Sequence, residues 1–103
     1  STFSAVIGQT RIGETGYTMA VDQTGTIIAY PDEEKLTERI NYKTLAQADS
    51  SYQGIADCIS KAVRGENGFA EVNLDGVNKY VTYAPIENTD GWSCLVVATL
   101  FSQ

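Results

Sequence analysis

The side chains able to do chemistry in this chain are carboxylates, tyrosines, a few lysines and arginines, and two cysteines; histidine is absent. Histidine is the commonest general base, proton shuttle and metal ligand near neutral pH, so Ser-His and Cys-His nucleophilic pairs are excluded within the chain. Two cysteines without histidine also fall short of a four-ligand zinc site unless carboxylates take unusual roles. What remains for acid–base work is the cluster Asp32, Glu33, Glu34 and Glu38. A short helix explains that spacing more simply. Asp32, just after Pro31, is placed to cap it, acids favour its first turn, and the basic Lys35 and Arg39 follow toward its end. GETG, residues 13–16, lacks the lysine and the strand-to-helix setting of a phosphate loop. No catalysis, metal or cofactor is expected.

Binding without chemistry is better supplied. Six tyrosines and one tryptophan offer apolar bodies with polar tips, the composition that small-molecule pockets favour. Tyr17, on a hydrophobic strand face, and Trp92, at the start of a strand, read as packing residues. Tyr30, Asp32, Tyr42, Lys43 and one of Tyr80 or Tyr83 are the candidate ligand contacts. The last two are an odd number of positions apart on one strand, so they face opposite sides. Tyr83 is preferred because Val81 shares its face and would floor a cavity. In such a site an aspartate could receive an ammonium group and Lys43 a carboxylate, with tyrosine hydroxyls fixing orientation. That chemistry suits an amino acid or a small organic acid.

The elements that must position these residues follow from pattern. At 103 residues the chain supports one core, burying about 60–70% of the surface its extended form would expose, so residues 1–103 are expected to form a single domain. Thirteen acidic against seven basic side chains give a net charge of -6. Nucleic acid and anionic lipid surfaces are therefore poor partners. Phe3, Val6 and Ile7 have helical spacing and read as the last turns of a helix begun upstream, so a fragment of a longer polypeptide is expected.

Tyr17, Met19 and Val21 alternate with Thr18, Ala20 and Asp22 as a strand, DQTG (22–25) supplies turn chemistry, and Thr26–Tyr30 returns as the second arm of a hairpin. Ile40–Asp49 shows no clean period and is expected to be a loop carrying Tyr42 and Lys43. Ser50 with Gln53 is a candidate capping box, after which Ile55, Cys58, Ile59, Ala62 and Val63 share one helical face up to Gly65. Strands over 69–74, 79–86 and 93–100 complete the order, joined by DGVN and ENTDG. The last is apolar on both faces, which predicts a central position covered on both sides. The whole predicts an α+β domain, a five-stranded antiparallel sheet with helices gathered on one face. Cys58 and Cys94 are either plain buried thiols or, in an oxidising compartment, a single bridge.

IGETGYTMAVDQTGTIIAYPD, a helix, and then GVNKYVTYAPIENTDGWSCLVV resemble the Cache family, the PAS-like sensor domains that lie outside the membrane in bacterial receptors. The likeness runs from about Ile12 to Val97. It is carried by the GY strand, the D-x-x-G turn, the Tyr30-Pro31-Asp32 ending and the late Ala84-Pro85-Ile86 with Gly91-Trp92. The closing segment is most similar to the membrane-proximal lobe of double-Cache receptors. The resemblance implies an extracytoplasmic, small-molecule-sensing domain of a chemotaxis receptor or sensor kinase, tied to the membrane through segments outside this chain and compatible with a homodimer. It equally implies an alternative, a lobe that transmits or dimerises without binding a ligand.

Overall fold

Period-two alternation makes five segments strands, and the turns between them fix how they pair. The computed structural model describes residues 16–99. In chain order these strands are β1 (Tyr17–Val21), β2 (Ile27–Ala29), β3 (Gly68–Leu74), β4 (Val77–Pro85) and β5 (Ser93–Thr99). They form one sheet in the order β2-β1-β5-β4-β3, with every neighbouring pair antiparallel. The expected N-terminal helix falls on residues outside those described.

The first hairpin is held by its turn. Asp22 Oδ1 accepts from Thr24 N at 2.9 Å, Thr24 Oγ1 at 2.6 Å and Thr26 N at 3.1 Å. Gly25 takes φ +90°, a conformation that a Cβ would oppose. The β3–β4 connection is the two-residue turn Asp75-Gly76, φ 55° and 82°, between the paired Leu74 and Val77. β5 sits at the centre, as its apolar run predicts. Its helix-facing Ser93, Leu95 and Val97 are fully buried, whereas Cys94, Val96 and Ala98 on the far face are half-buried.

Four helical pieces lie between β2 and β3. They are α1 (Glu33–Thr37), α2 (Tyr42–Ala48), a 3-10 turn (Ser50–Tyr52) and α3 (Gln53–Val63). Asp32 caps α1 by accepting from Glu34 N at 3.0 Å. The expected loop over Ile40–Asp49 is instead largely α2. The reason is Asn41, whose Oδ1 accepts from Lys43 N at 2.9 Å and Thr44 N at 3.3 Å, satisfying two otherwise orphaned amides. The Ser50–Gln53 box does not form either. Asp49 caps the 3-10 turn through Ser51 N at 3.0 Å, and Gln53 Nε2 donates forward to Asp57 Oδ1 at 2.7 Å.

The long helix α3 lays its predicted stripe on the sheet, with Ile55, Cys58, Ile59 and Ala62 buried against β3, β4 and β5. Ile55 and Ile59 each contribute about 1.5–3 kcal/mol when removed from water, which explains why this helix, not α1, anchors the layer; α1 has no fully buried residue. The helices gather on the face carrying Met19, Leu95, Val81 and Val72. On the opposite face Phe69 and Tyr80 are exposed, ring centroids 6.5 Å apart. Cys58 belongs to the helix-side core and Cys94 to the far face, both as free thiols whose pKa burial pushes up. Among the described residues no helix is long and apolar enough to cross a membrane.

Candidate ligand-binding site

Sheet register decides which side chains can meet. Tyr17 pairs with Val97 across β1–β5, and Val97 with Val81 across β5–β4, so these three share one row on the helix face. With strands about 4.8 Å apart, β4 lies roughly 10 Å from β1 at this row, within reach of a long side chain two residues along. Lys79 is that side chain. Its Nζ stands 5.5 Å from the centroid of the Tyr17 ring.

Three more tyrosines converge there. Tyr30, at the end of β2, meets Tyr17 edge-on, centroids 5.2 Å apart and planes at 62°. Tyr42, buried in the first turn of α2, stacks on Tyr52 of the 3-10 turn at 5.6 Å and 30°. Burial pushes the Tyr17 and Tyr42 hydroxyls far above the ordinary phenol value, with Tyr30 and then the Asp75 carboxylate adding to each. Both phenols are therefore neutral donors at any physiological pH. A groove of about 480 Å³ between α1 and α2, lined by Lys35, Arg39, Ile40, Leu45 and Tyr52 among others, reaches the outer side of the stacked pair.

Of the five residues singled out by sequence, Tyr30 and Tyr42 come together in this cluster. Asp32 is exposed and engaged as the α1 cap. Lys43 is half-buried against the β1–β2 turn: a Cβ placed on Gly25 would lie 2.9 Å from Lys43 Cδ. Tyr83 does share the helix face with Val81 and is 8% exposed, while Tyr80 points away and is 45% exposed. Its ring lies over its cross-strand partner Gly68, where an added Cβ would stand 2.9 Å from the hydroxyl. Tyr83 is four residues from Lys79 along β4, roughly 13 Å, which sets it at the other end of the face.

Sequence reasoning did not bring Lys79 or Tyr52 to this cluster, whereas Tyr17 lies in the core as its strand face predicts. The signal for Lys79 was present in the alternation Lys79, Val81, Tyr83. A charged residue on an otherwise core-facing row is the anomaly that pattern offers. Among the described residues no group of three or more potential metal ligands gathers.

A family model for the Cache domain matches residues 1–100. No curated protein sequence matches the chain. Among solved structures, the extracellular domain of mmHK1S-Z3, described as a histidine kinase, is similar with a TM-score of 0.70 at 20% identity, over 94% of this chain and 34% of that one. The ligand-binding domain of Mlp24 with asparagine gives 0.63 at 18% identity, covering 95% and 34%. The ligand-binding domain of the Pseudomonas aeruginosa PAO1 amino acid chemoreceptor PctC in complex with GABA gives 0.61 at 23%, covering 94% and 38%. At these identities the likeness is one of fold, and the chain spans about a third of each of those structures.

Proposed function

The chain belongs to the Cache domain family, and on that premise we propose that it is the extracytoplasmic sensing domain of a bacterial transmembrane receptor serving chemotaxis or a sensor kinase. Cache domains are sensor domains, and the relatives in fold include ligand-binding domains of chemoreceptors. The observation that carries the reading is the tyrosine cluster between the helices and the sheet, where Tyr30 meets Tyr17 and Tyr42 stacks on Tyr52. The ligand is an amino acid or a small organic acid, the class that phenol donors around a cation recognise by shape and polarity. Such a ligand signals only through unequal affinity for two arrangements of the receptor.

A thermal-shift screen of the folded chain with L-asparagine, L-arginine, L-leucine, GABA, acetate and lactate tests this. A ligand held at a hundredfold excess over its Kd stabilises by about 2.7 kcal/mol, a rise on the order of ten degrees for a domain this size. Tyr42→Ala should abolish that rise. The second reading, a lobe that transmits or dimerises without binding, draws support from Tyr83, whose ring fills the face over Gly68. It prevails if no acid in the panel shifts the melting point.

A further inference from the structure

Lys79 stands out on three counts. It lies on the helix-facing row of β4, between the exposed Val77 and the buried Val81 and Tyr83. It is half-buried, with its ammonium over the Tyr17 ring. Yet in a chain with nearly two carboxylates for every cation, it has no ion pair among the described residues; Arg64–Glu66 is the one ion pair found there. A partly desolvated ammonium normally has a carboxylate partner, because the Coulomb gain offsets the lost hydration. Asp75 is near enough to act on Tyr17 and Tyr42 electrostatically but does not close an ion pair with Lys79.

We propose that Lys79 is the specificity-determining residue of the sensing site, binding the carboxylate of the ligand through its ammonium while the Tyr17 and Tyr30 rings wall the ligand's body. The inference rests on the sensing reading given above. It moves the carboxylate contact from Lys43, whose stem lies on the β1–β2 turn, to a residue that faces the aromatic cluster. An amino acid and a simple organic acid share this carboxylate, and the ammonium of Lys79 recognises it in either. The ring beneath Lys79 stabilises the cation without neutralising it, so its charge remains free to meet an incoming anion.

The test is calorimetric titration of the folded chain with the acids that shift its melting point, set beside the matching neutral amides, L-leucinamide for L-leucine and lactamide for lactate. Binding of the acid with at least a tenfold loss for its amide is expected. An amino acid series that binds while acetate and lactate do not assigns the carboxylate to an amino acid; the reverse assigns it to an organic acid. Lys79→Met should weaken the acid at least tenfold, Lys79→Arg should restore most of it, and the ligand-free Lys79→Met protein should melt no lower than the wild type. If an acid binds Lys79→Met as tightly as wild type, or the amide as tightly as the acid, the inference fails and the sensing reading survives. A ligand-free Lys79→Met protein that melts several degrees lower makes Lys79 a packing residue and also overturns it. Should no acid bind the wild-type chain, both fall together.

Discussion

Asp22 gathers three donors on a single carboxylate oxygen, and the first hairpin turns on it. Burial alone would raise its pKa, but the bonds from the Thr24 hydroxyl and the amides of Thr24, Thr26 and Gly25 together outweigh burial and hold the carboxyl below its ordinary value. Unfolded aspartate titrates near about 3.9. With the folded value lower, the stability tied to this charge is whole above that pH and is lost as pH falls through the folded value. Asp22→Ala should therefore cost about 1–2 kcal/mol at pH 7, and the gap to wild type should narrow on acidification below about pH 4. Asp22→Asn, which keeps an oxygen acceptor, should cost less. Urea melts at pH 7 and pH 3 measure both, and an Asp22→Ala gap of the same size at the two values would show that the charge is irrelevant to the turn. Asp22 was legible from sequence because Asx-turn chemistry is local: the donors lie within four residues of the acceptor.

Elements were legible in proportion to how much they bury. The strands and α3 announce themselves by period because each lays several apolar residues on the core, and β5 by being apolar on both faces. α2 does not, since Tyr42 is its only buried residue and its start depends on one side chain, Asn41, rather than on any periodicity. The cluster was half legible for a related reason. Tyrosines advertise themselves by type, but that Lys79 of β4 meets Tyr17 of β1 depends on β5 lying between them in a set register, a long-range fact no local pattern contains. The strands also carry two hydroxyls out of keeping with their surroundings. Thr18 Oγ1 in β1 and Ser93 Oγ in β5 are buried without a hydrogen-bond partner among the described residues. A buried hydroxyl so placed costs about 1–3 kcal/mol, so Thr18→Val and Ser93→Ala should each raise the melting midpoint by a few degrees. Thr18 pairs with Val96 and faces the far side, while Ser93 pairs with Val21 and faces the helices, so the double variant should show nearly the sum. Scanning calorimetry of the three variants decides it; a fall in midpoint for either single variant would mean that its hydroxyl is satisfied after all.

At the scale of the whole molecule, stability is unevenly distributed. Five strands and α3 share one core, whereas the β2-to-α3 connection is held more lightly: α1 has no fully buried residue, α2 buries one tyrosine, Tyr30, Leu36, Ile40 and Tyr52 pack on the core only partly buried, and backbone and cap bonds such as Ile27 N to Ile40 O at 2.9 Å and Asn41 Nδ2 to Thr24 O at 3.0 Å tie the pair to the sheet. Segments with so few buried contacts open locally at a fraction of the global unfolding free energy. Tyr30 and Tyr42 both belong to this connection, and Tyr17 and Lys79 to the stable sheet. A ligand seated among them would therefore bridge the weakest part of the domain to the strongest. Hydrogen exchange followed by mass spectrometry should find the amides of 33–48 exchanging at least tenfold faster than those of Ile55–Ala62 in the free protein. Saturating ligand should slow both sets, the first because a bridging ligand opposes its local opening and the second because α3 exchanges through global unfolding, which bound ligand also opposes. Protection of 55–62 with 33–48 left unchanged would place the ligand elsewhere, and α1–α2 amides as slow as those of α3 in the free protein would remove the two-state element through which this domain is held to signal.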